Sequence, residues 1–179
     1  MTKSRAGSKT FRIVLAALSV IGFAVTASAK MQITSSAFAN GSSIPSKFTC
    51  DAQMPPNPSL AFSGVPAKAQ SLVLIMEDPD VPKNLMPSGV FDHWMVWNIS
   101  PKSKGIKEGD SAQGINGTGK SGYVGPCPPD REHRYFFHLY ALDMKLDAKI
   151  ANRKELEAAM KGHVIEQADL MGRYNRIKK

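Results

Sequence analysis

The chain has 179 residues, with 23 Lys and Arg against 15 Asp and Glu and a formal net charge of +8. Four of the basic residues, Lys3, Arg5, Lys9 and Arg12, precede the apolar run Ile13 to Val25 and the small residues Ala27-Ser28-Ala29, the layout of an export signal cleaved after Ala29. Without that segment 19 basic residues face 15 acidic ones, a net +4 partly confined to the Arg173–Lys179 tail, and no aromatic-interleaved basic stripe remains; this argues against nucleic-acid binding and leaves membrane contact peripheral at most.

Residues 1–29 therefore read as a signal peptide of the Sec type, which sends the protein to the periplasm, and residues 30–179 as one domain with a sizeable core. The leader's apolar run, at about 13 residues, is short of the roughly 20 needed to span a bilayer. An uncleaved anchor is the alternative. Cys50 and Cys127 are the only cysteines. In an oxidising compartment they can pair, and two free buried thiols are the alternative.

Residues 40–60 are rich in Gly, Ser, Pro and Asn, a turn-heavy entry with a short strand expected around Lys47–Cys50. Ser71 to Met76 is a continuous apolar run of strand length, ended by Asp78-Pro79-Asp80. Phe91 to Ile99, with Trp94 and Trp97, is a second. A polar, glycine-rich excursion over 101–122 leads to Gly125-Pro126-Cys127-Pro128-Pro129, which the prolines keep out of helix. A third strand follows at Arg134–Leu142, with His133 at its mouth. Near the end, Asn152 and Glu155 have capping-box spacing, and Leu156, Ala159 and Met160 form an apolar face that Gly162 stops. Val164, Ile165, Ala168 and Met171 repeat helical spacing, so two short helices are expected. Strands followed by helices predict a mainly β fold, a β-sandwich with short C-terminal helices at one end.

In an extended Asp78-Pro79-Asp80 both carboxylates lie on one side, and His133 and Tyr135 likewise share a strand face. His93, in Asp92-His93-Trp94, sits at another strand mouth, and convergence of these groups would make a small polar pocket. The bland reading is a polar strand exit with turn-capping acids and structural histidines. Two Asp and two His could hold a divalent ion, but no metal-ligand spacing supports it, and no metal or cofactor is expected. Gly114 to Ser121 matches G-x-x-x-x-G-K-[ST], yet lacks the apolar strand before it and the helix after it that phosphate cradling needs. Ser63 and Ser88 lie beside glycines without a G-x-S-x-G elbow. His138 and Tyr140 fall on the face opposite His133, and His163 reads as a helix-end residue.

Asp78-Pro79-Asp80-x-Pro82, Asp92-His93-Trp94 and Gly125-Pro-Cys-Pro-Pro129 with His133-Arg134-Tyr135 together resemble the phosphatidylethanolamine-binding protein family, in its bacterial Raf-kinase-inhibitor-like branch. The likeness runs from about Phe48 to Arg176. It implies a Greek-key β-sandwich with an anion pocket lined by Asp78, Asp80, His93, Pro129, His133 and Tyr135. It also implies binding of small anions or phosphorylated head groups without turnover, and eukaryotic relatives that inhibit kinases or proteases; no protein partner can be named. Cys127, where many eukaryotic relatives carry glycine, and the short Asp130-Arg131-Glu132 link are departures expected to narrow the pocket. The alternative is a hydrolase with His133 as general base oriented by Asp78 or Asp80. A fully ionised phosphate beside bare carboxylates is repelled. Binding thus needs a protonated phosphate oxygen, a charged imidazole or a zwitterionic ligand, and is expected to weaken above about pH 7 as imidazole deprotonates.

Overall fold

The structure, a computed structural model, describes residues 1–2, 29–110, 114–147 and 149–176. The leader expected over 1–29 lies almost wholly outside the described residues.

Two antiparallel sheets face each other. β1 (Gln32–Thr34), β2 (Leu60–Ser63) and β5 (Gly105–Ile106) form the smaller, in the order β1-β2-β5. The larger has the order β4-β3-β6-β7, from β3 (Ser71–Asp78), β4 (Phe91–Ile99), β6 (His133–Leu142) and β7 (Val164–Tyr174). The return of β6 to lie beside β3, across a long connection, gives the sandwich its non-local order. Ile33, Leu60 and Phe62 pack between the sheets against Leu72, Leu74, Met76, Trp94, Tyr135, Phe137 and Leu170. On the outer face of the larger sheet, Val73, Ile75 and Met95 pack under Leu156 and Met160 of α1 (Arg153–Met160). Being covered on both faces, β3 reads as an unbroken apolar run rather than an alternation.

α1 begins as its sequence predicts. The Asn152 side chain accepts from the Glu155 amide at 3.0 Å, and Glu155 reaches back to the Ala151 amide at 2.9 Å. The second expected helix is instead β7. From Ala168 on, Ala168, Leu170, Gly172 and Tyr174 are buried while Asp169 and Arg173 are exposed, a period of two that the Val164/Ala168 spacing also satisfies. Pairing along the whole length of β6 outweighs a local pattern that fits either structure. His163 accordingly sits between a helix and a strand, its Nδ1 2.9 Å from Asp143 Oδ1.

The short strand expected at Lys47–Cys50 is a 3-10 turn over Ser46–Phe48. Pro45 sets its entry and the Thr49 hydroxyl closes it on the Ser46 carbonyl at 2.8 Å, leaving Phe48 fully buried. The phosphate-loop look-alike is a tight excursion pressed on β4. The amides of Ile115 and Gly117 donate to the carbonyls of Met95 and Asp92 at 3.0 and 2.8 Å, so they are already engaged.

Candidate functional site

One end of the larger sheet gathers chemistry-bearing side chains. β3 ends there at Asp78, β4 begins with Phe91-Asp92-His93, and β6 begins at His133. On β4, Trp94 and Val96 face the inter-sheet core and Met95 the outer face. Strict alternation would send His93 outward. The register, however, pairs Met76 with Trp94 and Glu77 with Asp92, so His93 is the extra residue of a β-bulge. The bulge turns His93 to the inner face, where its ring meets Tyr135 edge-on at 5.2 Å between centroids, with Phe91 at 4.8 Å on another side.

His93 Nδ1 lies 2.7 Å from the Val124 carbonyl, which only accepts, so Nδ1 carries the proton. Burial pushes the ring down to about 4, against the pull of Val124 and Asp78, and at neutral pH His93 is an uncharged ring whose Nε2 offers a lone pair. Asp78 is buried. Its Oδ2 lies 2.7 Å from His133 Nδ1, and its Oδ1 accepts from the Asp80 amide at 2.9 Å. The other His133 nitrogen, Nε2, meets Asp130 Oδ1 at 2.8 Å. Only a doubly protonated ring donates from both nitrogens at once. The Tyr135 hydroxyl is buried beside Asp78. Burial first, and the nearby Asp78 charge second, make it a weaker acid than usual, so it stays a donor.

A cavity of about 310 Å³ opens here, lined by Asp78, Val81, Leu85, Phe91, His93, Val124, Gly125, Cys127 and Pro129. Of the six residues expected around a pocket, Asp78, His93 and Pro129 line it. His133 and Tyr135 lie behind Asp78 and His93. Asp80 turns away: Arg134 holds it with Nε at 2.9 Å and Nη2 at 2.7 Å, and that pairing keeps its carboxyl at about 2. Asp78 and Asp80 part because the strand stops at Asp78 and a turn begins at Pro79. Among the described residues no group of three or more His, Cys, Asp or Glu is placed to hold a metal ion.

Cys50 and Cys127 form a disulfide, Cα atoms 5.3 Å apart, that places sulfur in the cavity wall. The Cys50 amide donates to the Pro126 carbonyl at 3.0 Å and the Tyr123 hydroxyl to the Phe48 carbonyl at 2.8 Å. Gly125 fits because nothing larger does: a Cβ there would stand 2.8 Å from the Phe48 carbonyl oxygen and 3.0 Å from Thr49 Cα. Gly125→Ala is expected to cost about 1–3 kcal/mol by overpacking rigid backbone, read as a lower urea midpoint; an unchanged midpoint would show that the wall gives way. Val81, Leu85 and Phe91 line the cavity without a sequence signal, because apolar walls carry no motif. Asp130, in the short link before β6, carries no motif that marks it as a partner of His133.

The family model for phosphatidylethanolamine-binding protein matches residues 34–175. A UPF0098 protein of Chlamydia pneumoniae is 49% identical over 150 residues, covering 82% of this chain and 99% of its own. One of Methanothermobacter thermautotrophicus is 44% identical over 156 residues, with the same two coverages. Among solved structures, a phosphatidylethanolamine-binding protein homolog from Chlamydia trachomatis is 45% identical with a TM-score of 0.79, covering 83% of this chain and 99% of that one. Escherichia coli YbcL shares the fold at 23% identity and a TM-score of 0.71, covering 83% of this chain and all of its own. The match spans both sheets and every element of the pocket, and the chain belongs to the phosphatidylethanolamine-binding protein family.

Proposed function

We propose that this protein is exported and binds a small phosphate-bearing head group in the Asp78–His93 cavity, without turnover, as a modulator of a partner. The observation that carries the reading is the polar end of an otherwise apolar cavity. It offers a lone pair on His93 Nε2 and the Asp78 carboxylate. Two acceptors suit a ligand that brings its own hydrogen, either a phosphate still carrying P–OH or a zwitterion whose ammonium meets Asp78. A volume near 310 Å³ suits a head group with a short apolar neighbour.

Export is supported by the basic-apolar-small leader, by a family match that begins only at residue 34, and by the disulfide. The hydrolase alternative needs His133 free to take a proton. Its ring is fully buried with both nitrogens against carboxylates, which favours binding over turnover.

The sign of the pH dependence follows from the ligand. His93, held near 4, does not change charge between pH 5 and 8.5. A phosphate takes on its second negative charge around pH 6–7, which the Asp78 carboxylate repels more strongly. Affinity for inorganic phosphate is therefore expected to fall across that step, while phosphoethanolamine, which keeps its ammonium, falls less. Calorimetric titration of residues 30–179 with both ligands checks this. Phosphate affinity flat from about pH 5 to 8.5 would sink the account, as would no binding of either ligand at millimolar concentration.

A further inference from the structure

Behind the pocket, on the outer face of the larger sheet, lies a second charged cluster. Glu77 and Asp92 are cross-strand partners, and each is the chain neighbour of a pocket residue, Asp78 and His93. Like charges placed directly opposite on a sheet repel. Between them reaches Arg153, from the first turn of α1. Its Nη1 lies 2.8 Å from Glu77 Oε2 and 2.7 Å from Asp92 Oδ1, and its Nε bonds Glu157 at 2.7 Å. His138 adds to the cluster, 3.5 Å from Glu77 and 2.6 Å from Asp169.

We infer that Arg153 is the positioning residue of the pocket: by holding Asp92 on the outer face opposite Glu77, it fixes the bulge that turns His93 inward. Sheet geometry carries the argument. β4 is read inward at Trp94, so without the bulge Asp92 would take the inner face and His93 the outer. One arginine that binds both acids removes their repulsion and holds Asp92 where the bulged register needs it. The electrostatics agree. Hydrogen bonding from His138 and then Arg153 holds Glu77 at about 2 against burial, whereas burial raises Asp92 despite Arg153. The inference rests on the cavity reading only for its effect on affinity.

The test follows the His93 ring by ¹⁵N NMR in wild type, Arg153→Met, Arg153→Lys and Arg153→Met/Asp92→Asn, each checked for cooperative unfolding. In Arg153→Met the signature of a neutral ring protonated at Nδ1 is expected to broaden or shift, with phosphoethanolamine affinity falling about tenfold. Arg153→Lys, which keeps the charge but loses the Nε bond to Glu157 that aims the head group, is expected to lie between. The double variant, which removes the repulsion together with the cation, is expected to regain most of the wild-type signature. An unchanged His93 signature in Arg153→Met would overturn the inference, as would equal loss in the double variant. If Arg153→Met fails to fold, Arg153→Lys and the double variant still decide it. Absence of phosphoethanolamine binding in wild type would instead overturn the cavity reading and leave the His93 readout standing.

Discussion

Reducing the Cys50–Cys127 disulfide is expected to lower stability by about 2–5 kcal/mol, or roughly 10 °C in Tm for a domain of this size. The bond joins residues 77 apart, and closing a loop that long restricts the unfolded chain strongly. It also fastens the turn after Phe48 to the proline loop that walls the cavity. Two hydrogen bonds, Cys50 amide to Pro126 and Tyr123 hydroxyl to Phe48, survive reduction and keep those segments near each other. Stability should therefore drop more than affinity. Thermal unfolding with and without reductant, and of Cys50→Ser/Cys127→Ser, measures the first quantity, and titration with phosphoethanolamine the second. An unshifted Tm in protein whose thiols are shown to be free would remove the disulfide from any stabilising role. Affinity that collapses while Tm holds would mean that the bond shapes the wall rather than the fold.

The strands that make the sandwich were legible because burial on two faces writes continuous apolar runs, as in Ser71–Met76, and alternation writes a shared face, as in His133 and Tyr135. β7 was not, because Val164 and Ala168 sit four apart, a spacing that serves helix and strand alike. Its partner β6, 22 residues upstream at its nearest end, settles the matter through pairing that no local window contains. The site was legible as a set of residue types gathered at strand mouths, but its geometry was not. His93 faces inward only through a bulge, and a bulge is a property of two strands in register. Asp80 leaves Asp78 because the strand ends at Asp78, two residues short of what the alternation rule needs. Arg153, next to the cap residue Asn152, is seen as a partner of Glu77 and Asp92 only once α1 lies on the sheet.

Asp78→Ala is expected to destabilise the protein by about 3 kcal/mol and to abolish ligand binding. The cost arises from what remains. His133 is fully buried and its Nδ1 bond to Asp78, at 2.7 Å, is itself buried. Deleting one member of such a pair strands the other where water cannot reach it, which costs about 3–5 kcal/mol in buried pairs generally. Asp130, on the opposite ring nitrogen, compensates in part, and the lower end of that range is the better expectation. The Asp80 amide loses its acceptor as well. Asp78→Asn separates the causes: it keeps an oxygen for one hydrogen bond and loses the charge, so it should recover part of the stability while leaving binding of a zwitterion weak. Asp130→Ala, whose carboxylate faces water, should cost far less than Asp78→Ala although its contact with His133 is nearly as short. Urea unfolding of the three variants with His133→Ala in a double-mutant cycle measures the coupling directly. If Asp78→Ala and His133→Ala are additive, the pair is no unit. The pocket floor would then owe its shape to the rings of Phe91, His93 and Tyr135 rather than to the buried charge behind them.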